Sequence, residues 1–239
     1  MRLVAGVLLG LLSSGAGLVS AEDAKLPEAP EITLNELTVQ YTLLFQTKKY
    51  PEAVQAATRA LNVAEEAFGA SDPRVAQVLN DVGRLYQAQG QDAAAEPFHR
   101  RALDIRERLL SPAATVQSLT NLARVYQAEG RDADAEPLLT RALGMLEQHA
   151  GKDHPQAARV LVFLAQGDSR QGKTTEAEPL FARALAMVEP NPHGWELDSA
   201  LIMTQYAACL RKNGKIHEAE AAEAHAAALR TKSDVQPPP

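Results

Sequence analysis

The sequence predicts an all-α fold, a solenoid of about five stacked helix–turn–helix units over residues 32–230. Three observations predict it. Four stretches repeat one another: LNDVGRLYQAQGQDAAAEPFHRRAL from Leu79, LTNLARVYQAEGRDADAEPLLTRAL from Leu119, LVFLAQGDSRQGKTTEAEPLFARAL from Leu161 and MTQYAACLRKNGKIHEAEAAEAHAA from Met203. The glycines Gly90, Gly130, Gly172 and Gly214 recur at spacings of 40, 42 and 42 residues, a period that signals stacked repeats. Apolar residues inside each stretch follow helical spacing, and no stretch alternates as an exposed strand would.

The elements follow in order. A weaker first copy begins at Leu37 in LTVQYTLLFQTKKYPEAVQAATRAL, within a unit placed at 32–72. The second unit, 73–111, opens at Asp72-Pro73, read as an N-cap followed by Pro in the first helical turn. In its first helix Leu79, Val82, Gly83 and Tyr86 fall at i, i+3, i+4 and i+7, and its second carries Ala95, Phe98, Ala102 and Ile105. Ser111-Pro112 opens the third unit, 112–153, in the same way, and the last two are placed at 154–195 and 196–230. Each glycine sits where a helix ends and the backbone needs positive φ.

With 46% apolar and 23% charged residues, the chain has ample material for a core. Its formal charge of −6 argues against a nucleic-acid partner. Residues 1–21, MRLVAGVLLGLLSSGAGLVSA, read as a secretory signal peptide with cleavage before Glu22. An uncleaved anchor is the alternative, but the apolar run is short for a membrane span. Removing Arg2 leaves 23 basic and 30 acidic residues, net −7. Residues 22–31 read as a flexible leader and 231–239, ending in Pro-Pro-Pro, as a disordered tail. Cys209 is the only cysteine, so no internal disulfide can form, and its apolar neighbours Tyr206, Ala207 and Leu210 suggest a buried, inert thiol.

These residues resemble the tetratricopeptide repeat, whose pattern places a small residue in the first helix and alanines in the second. The small positions are Gly83, Ala123, Ala165 and Ala207. The alanines are Ala53, Ala95, Ala135, Ala177 and Ala219, then Ala60, Ala102, Ala142, Ala184 and Ala226. The long period, the thrice-repeated Ala-Glu-Pro at Pro97, Pro137 and Pro179, and the linker GKDHPQAARVL look like the kinesin-light-chain type. The first copy departs from the pattern, with Tyr41 at the small position, as befits a terminal cap. The resemblance implies a right-handed α-solenoid with a concave binding surface.

Gly167–Thr174, GDSRQGKT, matches the phosphate-binding pattern G-x-x-x-x-G-K-[ST], which would suggest a nucleotide-binding enzyme. Register argues otherwise, because Gly172-Lys173 aligns with Gly90-Gln91, Gly130-Arg131 and Gly214-Lys215 as an interhelix turn. No preceding strand or parallel sheet accompanies it. His217-Glu218 begins a zinc-protease pattern, but Ala221 stands where the second histidine belongs. The histidines read as solvated, and His149 with His154 does not make a metal site. The expectation is therefore no catalysis and no cofactor or metal.

The resemblance carries the binding surface to first-helix positions turned away from the second helix. These are Gln77, Asn80, Asp81, Arg84 and Gln87; Gln117, Thr120, Asn121, Arg124 and Gln127; Arg159, Val162, Phe163, Gln166 and Arg170; and Leu201, Thr204, Gln205, Arg211 and Lys212. Six of these are basic and only Asp81 is acidic, against the sign of the whole chain. Arginine grips a carboxylate through two parallel bonds, so an acidic or carboxylate-ended protein segment is the expected ligand. Some of these arginines could instead pair with acids of neighbouring units. Trp195, the only tryptophan, is a candidate anchor, with packing over helix ends the favoured role. The function expected is an exported, periplasmic scaffold that binds another protein or peptide; secretion is the second choice of place. Self-association of a structural envelope protein is the rival function.

Overall fold

A computed structural model describes residues 30–152, 154–188 and 199–235. The expected signal peptide (residues 1–21), Trp195 and the terminal prolines lie outside the described residues. Ten helices, and no strands, are present among those described. They form five consecutive pairs: α1 (Pro30–Gln46) with α2 (Tyr50–Phe68), α3 (Pro73–Ala88) with α4 (Asp92–Arg108), α5 (Pro112–Ala128) with α6 (Asp132–His149), α7 (Pro155–Arg170) with α8 (Thr174–Val188), and α9 (Ser199–Lys212) with α10 (Ile216–Val235). Each helix packs on the next in chain order. First helices of successive repeats also approach one another, α3 with α5, α5 with α7 and α7 with α9. The stack therefore bends towards its first helices, and they line the concave side.

Small side chains set the spacing. The second-helix alanines Ala53, Ala95, Ala135, Ala177 and Ala219 are all fully buried, as are Ala123, Ala165 and Ala207 in the first helices. A larger residue there would hold the paired backbones apart. Gly83 shows the limit of this logic. A Cβ at Gly83 would lie 2.6 Å from the His99 ring, so His99 and Gly83 form one packing unit. His99 is wholly buried, which corrects the expectation of solvated histidines.

The five turns share one closure. The amide of the residue after the positive-φ position donates back to the last helical turn: Lys49 to Leu44 O, Gln91 to Tyr86 O, Arg131 to Tyr126 O, Lys173 to Asp168 O and Lys215 to Leu210 O, at 2.8–3.0 Å. Glycine supplies the positive φ in four turns, and Lys48 adopts φ 58° in the first. Asp72 caps α3 by accepting from Arg74 N, whereas the Ser111 hydroxyl makes no capping bond to α5. Two boundaries differ from the sequence expectation. Helix α1 starts at Pro30, inside the expected leader, because proline suits a first helical turn. Helix α10 runs to Val235, into the expected tail, because no strong helix breaker intervenes before Pro237.

Candidate functional site

Side chains from α3, α5 and α7 line a recess of about 330 Å³ on the concave face, with Asp92 of α4 at its rim. Arg124, an exposed side chain, is one of its lining residues. Its guanidinium has no hydrogen-bond or ion-pair partner among the described residues, and its carbon lies 5.9 Å from the centre of the Phe163 ring. The surrounding protein, then Arg84 and Arg159, hold its pKa below the ordinary arginine value. Three cations on successive first helices thus act on one region. Arg84 lies 3.5 Å from Asp81, an exposed contact within its own helix. Asp81 also accepts the Tyr41 hydroxyl at 2.8 Å, which ties the first repeat to the second.

The remaining expected groove residues take other places. Asn80 and Asn121 are buried, at 1% and 9% exposure, and do not present their amides to the groove. Asn80 belongs to a polar cluster between the second and third repeats. Its Oδ1 accepts from both terminal nitrogens of Arg106 at 2.6 and 3.0 Å, and its Nδ2 donates to His99 Nδ1 at 3.0 Å. Arg106 also donates to Gln77 Oε1, Gln117 Oε1, Ser118 Oγ and the Ala114 carbonyl, each at 3.0–3.1 Å. Gln77 and Gln117 are exposed on the groove but spend their side-chain oxygens on this buried cation. Burial holds the Arg106 guanidinium below its ordinary pKa. Burial, then the nearby Arg124, Arg84 and Arg106, pull the His99 imidazole down to about 4, so it is neutral at pH 7. Sequence reasoning missed both residues, because His99 and Arg106 depart from the repeat rather than follow it.

Arg170 is spent on the preceding repeat, where it grips the buried carboxylate of Asp132 at 2.6 and 2.9 Å. Arg211 pairs in the same two-pronged way with Glu223 in its own repeat. Lys212 is exposed at the end of α9, beyond the recess. Leu201, Thr204 and Gln205 continue the first-helix face on α9, and the Gln205 Oε1 accepts from Gln166 at 2.9 Å. Val162 is core, and Phe163 is half-buried at the recess.

The tetratricopeptide repeat family model matches residues 42–108 and 113–189. The chain belongs to the tetratricopeptide repeat family. Its architecture is similar to that of a Podosopora anserina protein of nearly identical TPR-like repeats assigned as a kinesin light chain (TM-score 0.72, 21% identity, covering 87% of this chain and 100% of that one). It is also similar to BtubC (BKLC) from P. vanneervenii, with TM-score 0.76 and 20% identity over 86% of this chain and 83% of that one. A Rap protein complexed with Competence and Sporulation Factor matches at TM-score 0.66 and 19% identity, over 84% of this chain and 55% of that one. No curated relative matches the chain.

In this tetratricopeptide repeat array the phosphate-loop look-alike is an interhelix turn. Gly167–Arg170 ends α7, Gln171, Gly172 and Lys173 turn, and Thr174 opens α8. Lys173 reaches Glu136 of the preceding repeat at 2.9 Å. The same pairing recurs as Arg131 with Glu96 at 3.0 Å and Lys215 with Glu178 at 2.5 Å. Each acid is the glutamate of an Ala-Glu-Pro, and each base follows a turn glycine. That coincidence of two repeated features was the available signal for the ladder. A second ladder joins the second helices: Arg101 with Glu65, Arg141 with Glu107, and Arg183 with Glu147. These ion pairs are exposed, so they set register between repeats more than they add stability. Cys209 is buried, and its thiol donates to the Thr174 carbonyl at 3.1 Å. Burial raises the thiol pKa, which makes it a poor nucleophile.

Proposed function

We propose that this chain is a non-enzymatic scaffold that binds an acidic or carboxylate-ended protein segment along its concave groove. The observation that carries the reading is the row Arg84, Arg124 and Arg159 on three successive first helices, with Arg124 unpaired at its centre. Cations on three successive first helices favour an anion between them. An extended groove suits a peptide better than a compact metabolite. The Rap protein solved with Competence and Sporulation Factor is a precedent for ligand binding on this architecture. The signal-like N-terminus supports export to the periplasm, which N-terminal sequencing of chain recovered from the cell envelope would test.

The test is capture from the cell envelope with the wild-type chain beside an Arg84→Glu, Arg124→Glu variant of unchanged helicity. A partner held by the wild type and lost by the variant supports the groove. Equal capture by both refutes it. Self-association is a second reading, favoured by the exposed apolar side chains Ile32, Val39 and Leu43 on α1. A mass that rises with concentration and falls on Leu43→Lys would support that reading.

A further inference from the structure

The recess contains more than Arg124. Five of its side chains carry N–H donors: Gln87, Arg124, Gln127, Gln166 and Arg170. Three of them are engaged. Gln127 Nε2 donates to the Phe163 carbonyl at 2.8 Å, Gln166 Nε2 donates to Gln205 Oε1 at 2.9 Å, and Arg170 is committed to Asp132. Arg124 and the Gln87 amino group remain without acceptors among the described residues.

The orientation of Gln87 is set from beneath the groove. Arg106 donates to Asn80 Oδ1, which turns the Asn80 amino group towards His99 Nδ1. His99 Nδ1 must then accept, so the proton of the neutral ring resides on Nε2. His99 Nε2 lies 3.2 Å from Gln87 Oε1 and donates to it. The Gln87 oxygen is thereby held against the interior, and its amino group is left for the recess. Had Arg106 been an acceptor, or His99 the other tautomer, Gln87 would turn over and offer an oxygen to the ligand.

We propose that this recess is a single-carboxylate subsite in which Arg124 and Gln87 Nε2 donate to one carboxylate group, with His99 as the residue that positions Gln87. The subsite rests on the groove reading above and narrows it to one place. Its ligand is an acidic side chain or chain-terminal carboxylate of a protein segment. Phe163 walls the recess on one side, its ring centre 5.9 Å from the guanidinium carbon. Asp92 on the rim makes no ion pair with Arg124 and repels an anion that approaches from its side. His99 acts through Gln87 and does not touch the ligand.

The test uses the purified chain and two capped peptides of equal length, acetyl-triglutamate amide and acetyl-triglutamine amide, followed by NMR of the Arg124 Nε–Hε and Gln87 Nε2 signals. Binding of triglutamate that shifts both signals, with no response to triglutamine, is the expected result. Arg124→Gln and Gln87→Leu should each weaken triglutamate by about tenfold, the loss of one charge-assisted hydrogen bond. His99→Leu should match the Gln87→Leu loss, and the double variant should be no weaker than either alone. Leucine occupies the equivalent place in the third repeat as Leu139, and a thermal melt checks that the variant is folded. An effect of His99→Leu that adds to that of Gln87→Leu overturns the positioning role. Triglutamate binding that survives Arg124→Gln but is lost on Arg84→Glu overturns the subsite and leaves the groove reading intact. Equal response to both peptides, or to neither, also overturns the subsite. In that case the capture experiment decides the groove reading by itself.

Discussion

Replacing Gly83 by alanine sets two effects of opposite sign against each other. Alanine in a helix interior is favoured over glycine by about 1 kcal/mol. The added Cβ, however, would lie 2.6 Å from His99 Cε1 and Nε2 and 2.9 Å from Cδ2. Ordinary contact starts near 3.4 Å, so the ring must recede by about 0.8 Å. The ring is fully buried and held at both ends, by Asn80 at 3.0 Å and Gln87 at 3.2 Å. Overpacking costs about 1–3 kcal/mol. Lengthening a buried hydrogen bond beyond range costs a further ~1–3 kcal/mol. With the helix gain subtracted, Gly83→Ala should destabilise by about 1–5 kcal/mol. Urea unfolding followed by circular dichroism would read this as a lower midpoint. Adding His99→Leu recreates the pair that the third repeat uses, Ala123 with Leu139, and should recover most of the loss. A Gly83→Ala midpoint at or above wild type would refute the coupling of Gly83 to His99, and so would failure of the second substitution to recover it.

Four further outcomes follow from the same structure. The His99 pKa falls from 6.5 to about 4 on folding, so the unfolded chain binds more protons between those values. That contribution to stability is complete above pH ~6.5, is lost as pH falls towards ~4, and is of order 3 kcal/mol; unfolding midpoints across this window should fall less steeply in His99→Leu. Arg106→Met leaves the acceptors of Gln77, Gln117, Ser118 and Ala114 without their donor, and should cost about 2–4 kcal/mol in urea unfolding. Lys173→Glu should lower the thermal midpoint slightly, with Glu136→Lys restoring it, and the difference should shrink in high salt. Cys209 should resist a thiol reagent in the native chain and react on unfolding; rapid native labelling would contradict its burial.

The helices and their pairing were legible because periodicity reports burial directly. Ala53, Ala95, Ala135, Ala177 and Ala219 recur at a fixed place and are all buried. The same register identified Gly172-Lys173 as a turn and disposed of the phosphate-loop pattern. Site residues were legible only as far as their neighbours also repeated. Arg124 and Phe163 do reach the recess. Asn80 and Arg170 stand at comparable first-helix positions, yet one is buried under Arg106 and the other clasps Asp132. The acids that engage the repeat-linking bases lie 35–37 residues away in the chain, beyond the reach of any local pattern.

By itself the sequence determined the family, the five-fold helical period, the closely packed alanine seams and the turn positions, because each of these depends on residues near in the chain and is stated several times over. Only the tertiary structure decided which groove cations are already paired, that His99 is buried and neutral, and that Gln87 turns its amino group outward. Those outcomes depend on contacts between repeats, where a single departure such as Gly83 or Arg106 changes which partner is in reach, and a repeating pattern carries no information about its own exceptions.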